Sequence, residues 1–251
     1  MRVIAVINQK GGVGKSTTAA AIGGGLILRG YKTLFIDLDA QGNLTYSMGG
    51  QGGVPSILDV LQKEAGAAEA IQRTPMGDLI ASSPFLAAAD TRINQTGKEY
   101  RLKEALAEVA GYDYCVIDTP PALGILTVNA LTACSGAIIP AQADVYSLHG
   151  ISQLSGTISA VKKYCNPTLS IMGIVLTRFN KRSIIRREVA EMMETLAKQL
   201  NTKLYKTRIR ECTALVEAQA VKESIYKYAP RSNAAADYKA LLDEILEGQA
   251  Q

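Results

Sequence analysis

The chain has 251 residues, 47% of them hydrophobic and 20% charged, with a formal net charge of +4. That size and balance fit one well-buried α/β domain over residues 1–251 and are ordinary for a soluble globular protein. No apolar stretch approaches membrane-spanning length, Met1-Arg2-Val3-Ile4 runs into a short apolar strand without a leader, and Cys115, Cys134, Cys165 and Cys212 form no Cys-x-x-Cys pair. A secreted or membrane-spanning protein and an intrachain zinc or iron–sulfur site are therefore not expected, and free thiols in a reducing cytoplasm are.

Short apolar runs alternate with longer amphipathic stretches along the chain. Residues 3–7 read as a strand, residues 15–28 as a helix, and residues 33–36 and 79–81 as further strands. A helix over 98–109 is followed by strands over 114–117 and 137–139, a helix over 148–164 and a strand over 171–176. Two helices close the chain, over 183–200 and 233–246. In the first of these Ser183 can cap the start, and Val189, Met192, Met193, Leu196 and Leu200 recur at helical spacing. The glycine-rich stretch 48–53 reads as a mobile loop, and His149, the single histidine, as a residue near a helix start rather than a catalytic one. The strand runs are mostly continuous rather than alternating, as in strands buried on both faces of a parallel sheet. The expected fold class is therefore α/β, a doubly wound, mostly parallel sheet flanked by helices, with ligands at the carboxyl ends of its strands.

Charge is unevenly placed. Residues 161–210 hold 12 Lys/Arg against three Glu. Such a run is commonly a solvated face, but its concentration in one fifth of the chain favours a surface for a polyanion.

The chemistry begins after the first strand, in Gln9-Lys10-Gly11-Gly12-Val13-Gly14-Lys15-Ser16-Thr17. Glycines let backbone N–H groups close around an anion, and the helix that follows adds the positive end of its dipole. Lys15 is placed to reach the β- and γ-phosphates of a nucleotide, and Ser16 to offer a hydroxyl to Mg²⁺. The ordinary phosphate loop has glycine where this chain has Gln9, and a second lysine, Lys10, follows it. Two more strands end in carboxylates: Leu34-Phe35-Ile36-Asp37-Leu38-Asp39-Ala40-Gln41-Gly42-Asn43 and Cys115-Val116-Ile117-Asp118-Thr119-Pro120-Pro121. In a parallel sheet these ends share the edge that carries the phosphate loop, so Asp37, Asp39 and Asp118 can converge on one Mg²⁺–phosphate site with Ser16.

With these motifs the chain resembles the ParA/Soj-type partition ATPases, which carry a deviant Walker A loop within the ParA/MinD class of P-loop NTPases. The resemblance extends through Gly124-Ile125-Leu126-Thr127-Val128-Asn129-Ala130-Leu131, Ile138-Ile139-Pro140, Gly173-Ile174-Val175-Leu176-Thr177 and Tyr228-Ala229-Pro230-Arg231-Ser232. It implies an ATPase with ATP and Mg²⁺ as cofactors, slow without a stimulating partner. Lys10 matches the signature lysine that crosses to the nucleotide of the other protomer in an ATP-bound homodimer. Gly12 falls where the two protomers approach. Residues 10–17, with Arg178 and Arg210, fall in the nucleotide site, Asp39 matches the carboxylate that orients the attacking water, and Asp118 the Walker B aspartate. Lys10, Lys15 and Asp39 are thus the expected catalytic residues.

The resemblance also implies non-specific DNA binding through Lys181, Arg182, Arg186 and Arg187, a ParB-like partner, and a cytoplasmic protein that joins the nucleoid when ATP-bound. The chain departs from relatives that read Ile-Pro-Arg-Asn-Val-Arg, having Ile209-Arg210-Glu211-Cys212-Thr213-Ala214 instead. A DNA-contacting arginine of the family is thus Ala214 here, with Arg208 or Arg210 as the nearby replacement, and a proline beside the adenine is Arg210. A MinD-like membrane role would need a basic amphipathic C-terminal helix, and Leu241-Leu242-Asp243-Glu244-Ile245-Leu246-Glu247 is acidic. A ParA-like ATPase that positions a protein cargo or regulates transcription shares all these motifs.

Overall fold

The computed structural model describes residues 1–53, 55–180 and 184–248, and of residues 184–187 the backbone alone. Its strands are β1 (Arg2–Val6), β2 (Thr33–Asp37), β3 (Ile71–Thr74), β4 (Gly77–Ile80), β5 (Tyr114–Asp118), β6 (Gly136–Gln142), β7 (Ser170–Phe179) and β8 (Leu204–Arg210). They form one sheet in the order β3-β4-β2-β5-β1-β6-β7-β8. Every neighbouring pair is parallel except β3 and β4. The chain winds outward in both directions from β1, which puts the loop after β1 at the switch point where such sheets bind ligands.

Helices cover both faces. On one lie α1 (Lys15–Leu28) and α2 (Asn43–Met48), and on the other α3 (Ile57–Gln62), α4 (Ala89–Arg92), α5 (Arg101–Ala107), α6 (Ile125–Ala133), α7 (Val145–Tyr164) and α8 (Ile184–Gln199). The first face is completed by α9 (Ala214–Ala220), α10 (Ile225–Tyr228) and α11 (Asn233–Glu247). Side chains of β1 show the division: Ile4 and Val6 join the core beneath α1 and α11, while Val3 and Ala5 join the core beneath α6 and α7. Alternation across a strand buried on both faces produces this, and it explains the continuous apolar runs.

The doubly wound parallel sheet is as expected from the sequence, and α1 has the expected bounds. The helix expected over 148–164 begins earlier, at Val145, because Asp144 caps it by accepting from the Ser147 N–H at 2.8 Å. The helix expected over 98–109 is a 3₁₀ turn, Lys98–Tyr100, leading into α5. The stretch expected to be a mobile loop is fastened: Gln51 N–H donates to Gln72 Oε1 at 3.0 Å, and Gln72 Nε2 returns a bond to Gln51 O at 2.9 Å. His149 is exposed one turn into α7 and lies 3.1 Å from the Gln153 amide. The acidic C-terminal helix buries Leu241, Leu242 and Ile245 in the protein core, so its apolar face is already occupied. Among the described residues no helix is long and apolar enough to cross a membrane.

The close approach of α1 to the sheet depends on its glycines. An added Cβ at Gly23 would lie 2.1 Å from the ring of Phe35, which is fully buried in β2, whereas one at Gly24 would meet Ser224 Oγ at 3.2 Å. Alanine favours a helix by up to about 1 kcal/mol over glycine, but overpacking a closed core costs about 1–3 kcal/mol. Gly23→Ala should therefore lower the urea midpoint, Gly24→Ala should change stability by less than about 1 kcal/mol, and Phe35→Leu should rescue Gly23→Ala. Equal midpoints for the two alanine variants would contradict this packing.

Candidate active site

The loop between β1 and α1 is tied to the sheet at several points. Asn8 Nδ2 donates to Pro140 O at 2.7 Å and its Oδ1 accepts from the Lys10 N–H at 2.9 Å. Thr177 Oγ1 donates to Val13 O at 2.8 Å, and Gln142 Nε2 to Gly12 O at 3.1 Å. Gly12 and Gly14 have φ of 74° and 88°, the left-handed region that only glycine enters freely. Gly14 also caps α1 without any side-chain hydrogen bond. The first N–H groups of a helix have no intrahelical acceptor, so this uncapped start is a ready anion site.

Strand register delivers the acids. Asp118 lies between Val6 of β1 and Asp37 of β2, each its direct partner in the sheet. Asp37 is fully buried and accepts from the Thr45 N–H and Oγ1, both at 2.8 Å, and from the Asp39 N–H at 3.1 Å. Burial outweighs these donors and pushes the Asp37 carboxyl up to about 6. Asp39 closes the next turn: its Oδ1 accepts from the Gln41 N–H at 3.0 Å, and its carbonyl from the Gly42 N–H and the Ser82 hydroxyl.

Asp118 is completely buried, and among the described residues neither carboxylate oxygen has a partner in hydrogen-bonding geometry. Burial and the neighbouring Asp37 charge drive its pKa well above the usual carboxylate range; the nearby Ser16 hydroxyl and Lys15 ammonium oppose them only in part. Lys15 is itself buried, donates to Lys10 O at 3.3 Å, and is held below the ordinary lysine range by burial, against the attraction of Asp118 and Asp39. Two carboxylates, Asp118 and Asp39, thus face the one ammonium, with Asp37 beside Asp118. An orphaned buried carboxylate beside a hydroxyl and two further acids suits an oxygen-seeking Mg²⁺ that keeps some of its waters.

Lys10 points elsewhere. Its Nζ pairs with Asp144 Oδ2 at 2.6 Å, at the start of α7, and sits 5.9 Å from the centre of the Tyr146 ring. Neither its spacing nor its loop reveals that partner, 134 positions away. Thr45, Thr177, Asn8 and Asp144 are likewise site residues to which the sequence reading gave no role; Asn8, Thr45 and Thr177 lie within or beside the motifs and could have been given one.

Arg178 and Arg210 line a cavity of about 190 Å³ beside Gly14 and Thr17. Arg178 is a non-glycine residue at φ 47°. Arg210 is already committed: its Nε and Nη2 reach Asp237 at 3.0 and 2.6 Å, and its N–H adds a third bond at 2.9 Å.

Arg208, expected from the sequence as a DNA contact, is largely enclosed. Its side chain is 18% exposed, its Nη2 lies 4.0 Å from Glu194, and among the described residues its buried Nη1 has no partner. Burial lowers its pKa, against the opposing charges of Glu194 and Glu244. Lys181 and Arg182, and the side chains of Arg186 and Arg187, lie outside the described residues.

A glycine-bent phosphate loop after the central strand, an uncapped helix start and acids closing two adjacent strands define a P-loop nucleotide-binding protein. Comparison with known proteins narrows this. A family model described as an AAA domain matches residues 1–171. The sporulation initiation inhibitor protein Soj of Bacillus subtilis (strain 168) is 38% identical over 250 residues, covering 97% of this chain and 98% of its own. The chromosome partitioning protein ParA of Myxococcus xanthus (strain DK1622) is 35% identical over 252 residues, covering 98% and 88%. A crystal structure described as cobyrinic acid a,c-diamide synthase from Mycobacterium smegmatis, with bound ATP analog and magnesium, matches with a TM-score of 0.86 at 34% identity, covering 100% of this chain and 96% of that one. The chain belongs to the ParA/Soj family of partition ATPases.

The acid cluster makes a specific demand on the unliganded protein. Asp118→Asn removes one of three mutually repelling carboxylates. It should raise the stability of the nucleotide-free protein at pH 7.5 by on the order of 1 kcal/mol while abolishing the thermal shift produced by Mg-ATP. A less stable apo variant, or one that keeps the shift, would refute this account of the site.

Proposed function

We propose that this protein is a Mg²⁺-dependent ATPase that works as a dimerising switch in DNA partition. The observation that carries the reading is the meeting of Lys15, Asp37, Asp39 and Asp118 at the mouth of the uncapped α1. Phosphoryl transfer needs positioning and charge neutralisation more than covalent chemistry, and this set supplies both. The N–H groups opening α1 and the Lys15 ammonium hold the phosphates; Ser16, Asp37 and Asp118 hold the magnesium ion, which when bound neutralises charge on the phosphate oxygens. Asp39 orients the attacking water. Turnover is slow until a partner stimulates it.

Lys10 is the residue that links hydrolysis to assembly. In the single chain it is paired with Asp144. In an ATP-bound homodimer it leaves Asp144 for the nucleotide of the partner subunit, acting as an arginine finger does, and Gly12 lies at the contact. The dimer binds DNA without sequence preference through Lys181, Arg182, Arg186 and Arg187, associates with the nucleoid, and is discharged by a ParB-like protein. These readings rest on the family membership and the basic run 161–210.

Asp39→Ala should leave ATP binding intact, hold the protein as a dimer in size-exclusion chromatography with ATP, and cut turnover by about a hundredfold or more. Unchanged turnover would remove Asp39 from the chemistry. For DNA, Arg182→Glu combined with Arg186→Glu should weaken binding in the presence of ATP and reduce the slope of log affinity against log salt by about 2. Binding insensitive to salt, or unaffected by the double variant, would sink the DNA reading.

A further inference from the structure

The start of α1 is held from its outer side by a contact that the phosphate-loop motif does not include. Gln219, on α9, directs its Nε2 at Thr17 Oγ1 across 2.9 Å. The next residue, Thr18, meets the Tyr238 hydroxyl at 3.1 Å, so the first turn of α1 is fastened to both α9 and α11. Thr17 and Gln219 line the same cavity of about 190 Å³ that Gly14 opens onto.

A threonine hydroxyl has one hydrogen and two acceptor positions. In a helix that hydrogen is commonly drawn to a carbonyl three or four residues back, which withdraws it from any ligand. Here Val13 O, four residues back, accepts from Thr177 Oγ1 at 2.8 Å instead. Among the described residues Thr17 donates to nothing, and its oxygen is occupied as an acceptor by the Gln219 amide. The hydroxyl hydrogen is left free to serve a ligand in the cavity that Thr17 shares with Gly14.

We propose that Gln219 is a positioning residue for nucleotide binding: its amide N–H fixes the rotamer and polarity of the Thr17 hydroxyl so that Thr17 donates to the phosphate nearest the ribose. The inference rests on the phosphate-loop reading of residues 10–17 and adds α9 to it. The tether also ties the wall of the base-side cavity to the helix that binds phosphate, so the two halves of the site are set together. Because the contact concerns the phosphate nearest the ribose, ATP and ADP feel it alike, and a saturated enzyme turns over normally.

The test is a double-mutant cycle on nucleotide affinity, read by titration of ATP and ADP with Mg²⁺ present. Gln219→Met keeps length and helix preference without a donor; Gln219→Glu keeps shape but can only accept, and so reverses the hydroxyl. Loss of one such hydrogen bond corresponds to about a three- to tenfold rise in Kd. Gln219→Met should raise Kd for ATP and ADP by that factor with kcat unchanged, and Gln219→Glu should raise it further. In a Thr17→Val background, Gln219→Met should have no further effect; this last readout separates positioning from a general loss of structure, since a merely structural Gln219 would weaken binding in either background. Equal Kd values for wild type and Gln219→Met, or an undiminished effect in Thr17→Val, would overturn the proposal and leave the phosphate-loop reading standing. Failure of the wild type to bind either nucleotide would overturn both.

Discussion

Parallel register across β1, β5 and β2 puts Asp118 level with both Val6 and Asp37, and the properties of the site follow from that alignment. Backbone pairing leaves no freedom to separate the two acids, because a slip of one residue would turn every apolar side chain of the strand to the wrong face. The acids are therefore forced together in a place from which water is excluded. A buried charge without partners is tolerated only where the fold over-determines it, and eight strands with helices on both faces do so here. A cation with its phosphates relieves the site, and the relief appears as stabilisation of the folded state in proportion to ligand concentration over Kd.

The two lysines of the loop illustrate how burial decides role. Lys15 is enclosed and faces acids it cannot neutralise alone, so its charge is available to a phosphate. Lys10 is about a quarter exposed and paired with an equally accessible Asp144. Exposed pairs contribute only about 0–1 kcal/mol, so the Lys10–Asp144 contact holds the side chain in place without committing it. On the proposed reading, that weakness suits a lysine that must change partners. Asp144 keeps a second task when Lys10 departs, since it also caps α7 through Ser147.

Much of this architecture is legible in the sequence, and the exceptions have physical causes. Strands buried on both faces, such as β1 and β5, read as apolar runs because both sides need apolar residues. The edge strand β8 was not legible: in Leu204–Arg210 only Tyr205 and Ile209 are buried, and basic residues alternate with them. The short β3 presents no fully buried residue at all. Helix α6 is enclosed almost all round, so it lacks the amphipathic rhythm by which helices are recognised. Strand-end acids could be placed because parallel strands share an edge, but Arg208 could not, since charge in a sequence says nothing about the helix that lies over it. Pairings such as Gln219 with Thr17 or Lys10 with Asp144 join positions more than a hundred residues apart and carry no local signal.

Burial also revises the basic run that pointed to DNA. Of its cations, Arg208 is enclosed under α8, Arg210 is bound to Asp237, and Lys203 lies over the Tyr205 ring at 5.1 Å. Lys162 and Lys163 are exposed, but they end α7, and Lys198 ends α8. Both helices run back from the phosphate-loop edge of the sheet, so these lysines lie at its opposite edge. The start of α8 at Ile184, reached from the carboxyl end of β7, is on the nucleotide side. A net charge summed over the segment therefore overstates the free cationic surface it presents.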